Sequence, residues 1–250
     1  MRRAALVIAL LMIACRSDQP RGAQEGNSAA APAAPSAAPV AASALATPAP
    51  RPAASPIAQG PQREPVVVFL GDSLTAGLGL SSEEAWPTLL TDQLAAAGTP
   101  IHAVNAGVSG DTSAGGLRRL TWLLRQRPDV VVVELGANDG LRGQPIAGVE
   151  ANLREIIAKS RAAGARVLVL GLRVPPSLGG DYARQFAELY PRLARELDVP
   201  LVPFMLEGVA GDPDLNQPDG IHPNAEGEKR VAAVVRPHLE RLLAEPTPAR

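Results

Sequence analysis

From residue 66 onward, short apolar runs alternate with longer segments whose apolar residues return every three or four positions. The runs Val66–Leu70, Ile101–Asn105, Val130–Leu135, Val167–Leu170 and Leu201–Pro203 read as strands. The segments Glu84–Ala97, Gly115–Gln126, Ile146–Ala163, Tyr182–Leu197 and Ala225–Leu243 read as helices. Val66–Leu70 and Val130–Val133 do not alternate with polar residues, as expected of strands covered on both faces. Strand–helix alternation of this kind implies βαβ units and a parallel sheet. The expected architecture is α/β, a three-layer α/β/α sandwich around a five-stranded parallel sheet. Its roughly 180 residues suit one domain with one core.

The N-terminal quarter follows a different pattern. Arg2 and Arg3 precede an unbroken apolar run, Ala4–Ala14, which ends at Cys15, the single cysteine of the chain. A charged start and a short apolar run form an export signal, too short for a transmembrane helix of about 20 residues. A small residue followed by cysteine at its end resembles a bacterial lipobox, in which the cysteine is lipidated; a plain cleaved signal is the alternative. Residues 1–15 are therefore expected to be a lipoprotein-type signal and 65–246 the folded domain. Between them, 16–64 is expected to be a disordered tether. From Ala29 to Ala58 it is almost entirely Ala, Pro, Ser and Thr, with Arg51 its only charge. The chain then reads as an exported monomer, anchored to a membrane through Cys15 and facing the periplasm. A formal net charge of −1 speaks against nucleic acid as a partner.

Ligands of open parallel sheets sit beyond the C-terminal strand ends, and four of the loops there carry chemistry. The first strand breaks at Gly71-Asp72-Ser73-Leu74, placing Ser73 at the strand tip before a helical turn. A serine helix cap would look the same. Asn105–Thr112 holds two glycines, whose backbone can approach a ligand closely. Gly136-Ala137-Asn138-Asp139-Gly140 offers the Asn138 amide to a developing oxyanion, or forms an ordinary turn. The last loop ends Asp219-Gly220-Ile221-His222-Pro223-Asn224, where a carboxylate three residues before a histidine can fold back and orient its ring. Of the three histidines, His102 falls in a strand pattern and His238 in a helix pattern. Neither is expected to be catalytic. No Cys/His cluster suggests a metal, and no cofactor is expected.

Together these blocks resemble the SGNH (GDSL) hydrolase family: Gly71–Leu74, Gly107, Asn138 and Asp219–His222 match its four blocks in order. Flanking text such as Ala85–Leu90, Ser109–Leu117 and Val133–Gly143 is similar to the branch containing thioesterase I, lysophospholipase and arylesterase. The resemblance implies a flavodoxin-like SGNH hydrolase fold. It implies Ser73 as nucleophile, His222 as base and then acid, and Asp219 as its orienting carboxylate. The N–H groups of Ser73 and Gly107 and the amide of Asn138 would form the oxyanion hole. Asp72 would hold the serine turn. The implied substrates are small acyl esters: aryl esters, short to medium acyl esters, and with them thioesters and lysophospholipids. A carbohydrate O-acetylesterase on the same fold, or a non-catalytic surface lipoprotein binding acyl or glycan ligands, are the competing readings. A nucleotide binder would need a phosphate-loop spacing and lysine that Gly77–Ser82 lacks.

Overall fold

The computed structural model describes residues 63–245. Cys15 lies outside them, as does the tether up to residue 62. The Arg63 guanidinium grips Asp129 at 2.7 and 2.8 Å. Asp129 also accepts the Val66 N–H, so the start of the first strand is tied down.

Five strands form one parallel sheet: β1 (Val66–Gly71), β2 (His102–Gly107), β3 (Val130–Glu134), β4 (Arg166–Leu170) and β5 (Leu201–Val202). Their spatial order is β2-β1-β3-β4-β5. The chain steps from β1 to β2 in one direction, then crosses back over β1 to β3 and continues to β5. Right-handed crossovers therefore place α2 (Trp86–Ala96) on one face of the sheet. They place α3 (Ser113–Leu124), α5 (Ile146–Ala162) and α6 (Gly180–Leu197) on the other. The last helix, α7 (Ala225–Ala244), returns to pack on α2, while α3 packs on α5 and α5 on α6. This is the expected three-layer sandwich. The order in which strands are added reverses between β1 and β3, and at such a switch point a crevice opens at the C-terminal edge of a parallel sheet.

The unbroken apolar runs have the burial they imply. Val67–Leu70 and Val130–Val133 are essentially inaccessible. Phe69 meets the edge of Trp86 at 5.2 Å between ring centres, joining sheet to α2.

Element limits differ from the expectation mainly at the site. β2 runs two residues further, to Gly107, because Gly71 and Gly107 pair in register. Two short helices interrupt what reads as loop: α1 (Ser73–Ala76) and α4 (Ala137–Leu141). Both follow glycine or small residues at strand ends, where the backbone can turn at once. Among the described residues no helix is long and apolar enough to cross a membrane.

Candidate active site

Ser73 is the first residue of α1, directly beyond β1, and is buried. Asp72 caps that helix: its Oδ1 accepts the Leu74 N–H at 3.0 Å. A side chain on Gly71 could not fit, since a Cβ would lie 2.0 Å from Thr75 Oγ1. The strand therefore ends on glycine so that α1 can fold back on it.

His222 Nε2 lies 2.8 Å from Ser73 Oγ, although 149 residues separate them. Its other ring nitrogen, Nδ1, lies 2.7 Å from Asp219 Oδ2. Asp219 Oδ1 accepts the backbone N–H groups of Ile221 (2.9 Å) and His222 (3.0 Å). The His222 N–H, then the imidazole, then the Ile221 N–H hold the Asp219 carboxyl down at about 2, against an ordinary 3.8. A charged Asp219 fixes the tautomer: Nδ1 carries the proton and Nε2 is free to accept from Ser73. The loop is closed on itself by the Gln217 N–H donating to the His222 carbonyl at 2.7 Å and by an Asn216–Pro223 bridge. Gln217 Nε2 also reaches the Leu78 carbonyl, fastening the loop to the turn after α1.

Asn138, at the start of α4, donates its amide to Asp72 Oδ2 at 3.0 Å. That uses one of its two amide hydrogens and leaves the other available. Arg142 holds the opposite side of the group, touching Asn138 Oδ1 (3.4 Å) and the Gly110 carbonyl (3.1 Å).

Gly107 departs from its expected role. Its N–H donates to Asn105 Oδ1 at 2.9 Å, and Asn105 Nδ2 in turn holds the Thr75 carbonyl. A Cβ at Gly107 would lie 2.3 Å from the Ala76 nitrogen, so this glycine is needed for the close approach of α1 to β2. Gly110, three residues on, has φ of 78° and sits beside Asn138 through Arg142. Its N–H meets no acceptor among the described residues. The sequence shows two glycines in this loop; only the fold distinguishes the packed one from the one with a free N–H.

His102 is exposed at the start of edge strand β2, and His238 lies on α7, where burial lowers its pKa. Neither approaches Ser73. Two residues that sequence reading passed over also shape the site. Arg119 of α3 donates to the Gly71 and Ala106 carbonyls at 2.8 and 2.6 Å and pairs with Asp111, pinning the ends of β1 and β2 together. Glu134, the last residue of β3, lies buried beneath the serine turn. Beside Ser73 an apolar hollow of about 500 Å³ is walled by Leu74, Leu172, Val174, Phe204, Leu206 and Ile221. Among the described residues, no group of three His, Cys, Asp or Glu could hold a metal.

A family model described as GDSL-like lipase/acylhydrolase matches residues 69–230. Esterase TesA of Pseudomonas aeruginosa is 46% identical over 71% of this chain and 89% of its own length. Thioesterase 1/protease 1/lysophospholipase L1 of Escherichia coli K12 is 44% identical over 71% of this chain and 84% of its own. The crystal structure of the psychrotrophic esterase EstA from Pseudoalteromonas, inhibited by monoethylphosphonate, superimposes with a TM-score of 0.69 at 36% identity. It covers 73% of this chain and all of that one.

Proposed function

The chain belongs to the GDSL-like lipase/acylhydrolase family, a family of serine esterases, and on that premise we propose that Ser73, His222 and Asp219 carry out its hydrolysis of carboxylic esters. The observation that carries the assignment is the continuous chain Ser73 Oγ–His222 Nε2 at 2.8 Å and His222 Nδ1–Asp219 Oδ2 at 2.7 Å. His222 takes the Ser73 proton as Oγ attacks the acyl carbon, then delivers it to the departing alcohol. Water, activated by the same imidazole, releases the acid from the acyl-enzyme. Asp219 keeps the ring in the tautomer that both steps require.

Charge on the carbonyl oxygen is met by the Ser73 N–H and the free amide hydrogen of Asn138. The third donor is the N–H of Gly110, not that of Gly107. Gly107 already serves Asn105, whereas Gly110 is free and held next to Asn138.

The apolar hollow takes the acyl chain. Its size and apolar walls favour short to medium acyl esters and aryl esters over an acetylated sugar. Thioesters and lysophospholipids follow as candidate substrates from the name of the Escherichia coli relative. The Ala4–Cys15 run supports an exported, periplasm-facing lipoprotein anchored through Cys15, with the tether holding a monomeric domain off the membrane. The test is turnover of p-nitrophenyl esters from acetate to decanoate by the protein and by Ser73→Ala. Activity that vanishes in the variant and peaks at intermediate chain length is expected. Equal rates in the two proteins would remove Ser73 from the mechanism.

A further inference from the structure

Glu134 is an acid in a place where an acid is costly. It ends the central strand β3, is 1% exposed, and has no basic side chain among its partners. What it does have is the underside of the serine turn. Its Oε2 accepts the Asp72 N–H at 3.1 Å and the Thr75 hydroxyl at 2.9 Å. Its Oε1 is buried without a partner among the described residues. Asp72 in turn holds the two groups that matter above it: the Leu74 N–H through Oδ1 and the Asn138 amide through Oδ2.

We propose that Glu134 is a positioning residue for catalysis: a neutral carboxylic acid that orients Asp72 from below and, through Asp72, aims the Asn138 amide at the oxyanion. The inference rests on the assignment of Asn138 made above. The surroundings favour the neutral form: Oε1 meets no donor among the described residues that would stabilise a charge, and a second full charge against Asp72 in a dry interior would repel it. Burial first, then the neighbouring Asp72 charge, push the Glu134 carboxyl well above the ordinary carboxylate range. Asp72 is also raised by burial, but the Leu74 N–H, the Asn138 amide and Glu134 itself pull it back. The proton is assigned to Glu134, the member of the pair whose Oε1 has no donor beside it, whereas both oxygens of Asp72 accept a hydrogen bond. The other titratable group facing it is Tyr190 of α6, which is buried and itself pushed up, so it supplies no charge. A neutral double acceptor leaves Asp72 charged, and a charged Asp72 binds the Asn138 amide more firmly than a neutral one.

Glu134→Gln presents the same carbonyl to Asp72 and Thr75 and an N–H₂ in place of the acid hydroxyl. It is expected to keep kcat within about threefold of wild type. Glu134→Ala is expected to lower kcat about 100-fold, the scale of one oxyanion donor, with KM little changed. In an Asn138→Ala background the same change should cost less than about threefold, because its route has gone. The wild-type protein at neutral pH should show a protonated-carboxyl infrared band that Glu134→Gln removes. This band and the Glu134→Gln rate need only folded proteins, should the alanine variant fail to fold. Loss of activity in Glu134→Gln, absence of the band, or full additivity with Asn138→Ala would each overturn the proposal. If Asn138→Ala itself has no effect, the oxyanion assignment fails, a result distinct from additivity against an impaired Asn138 variant.

Discussion

The serine turn and the histidine loop meet at 2.8 Å, yet they are held in opposite ways. Ser73 and Asp72 are buried, fixed from below by Glu134 and from the side by Asn138. The Asp219–His222 loop lies on the surface, its carboxylate 45% exposed. It is fixed by its own backbone through Asp219, Gln217 and the Asn216–Pro223 bridge. The proposed nucleophile borrows rigidity from the sheet, so changes there disturb core and site together. The proposed base carries its rigidity locally, so it can be altered with the fold intact. A reaction that must bring a proton acceptor to a buried hydroxyl is served by one partner that cannot move and one that is independently preorganised.

The sharpest test removes either partner. Ser73→Ala and His222→Ala should each lower kcat by about 10⁴-fold or more, and the double variant should lose little beyond either single one. Additive losses would mean that the two regions act separately. Asn138→Ala, at the edge of the buried side, should lose about 100- to 1,000-fold in kcat at unchanged fold, measured by steady-state kinetics beside circular dichroism.

Acid and alkali should separate stability on the two sides. The histidine loop depends on charged Asp219, with a carboxyl lowered from 3.8 to about 2. Its contribution is present above pH 4 and lost as pH falls through about 2. Exchange of the Ile221 and His222 amides should accelerate there. The buried core shows the reverse. Glu228 of α7, 1% exposed and bonded to the Trp86 N–H at 2.7 Å, is raised by burial from 4.5 to about 8. Its favourable state is the neutral one, so stability is greatest below 4.5 and declines as pH rises through 8. Glu228→Gln should therefore stabilise the protein at neutral and alkaline pH, by at most about 3 kcal/mol at pH 7, and not at pH 4. A melting temperature unchanged at pH 8 would show that the carboxyl finds another partner when charged.

The smallest effect should come from Gln217→Ala, which frees the loop from the Leu78 carbonyl while leaving Asp219 and His222 bonded. A loss of about 1 kcal/mol, or up to tenfold in kcat/KM, is expected.

Much of this was legible before any fold was known. Val66–Leu70 and Val130–Val133 announce a doubly covered sheet because every side chain along a central parallel strand is buried, so their apolar character is continuous. Ser73, Asn138, Asp219 and His222 stand out because strand ends that carry chemistry are punctuated by glycine and small polar residues. Asp219 and His222 interact over three residues, so their partnership is a local property that spacing alone conveys. Other features depend on partners far along the chain. Gly107 and Gly110 are alike as text; Asn105 occupies one N–H and leaves the other, and the approach of α1 decides which glycine is packed. Glu134 looks like the polar end of a strand until Asp72 and Thr75, about 60 residues away, are laid over it. Sequence periodicity thus determined the strands and the layers, and the strand-end motifs marked the candidate reactive side chains, because both follow from short-range geometry and burial. Only the tertiary structure decided which N–H groups are free and which acids are buried, because hydrogen-bond occupancy and desolvation are set by neighbours that the chain brings together from a distance.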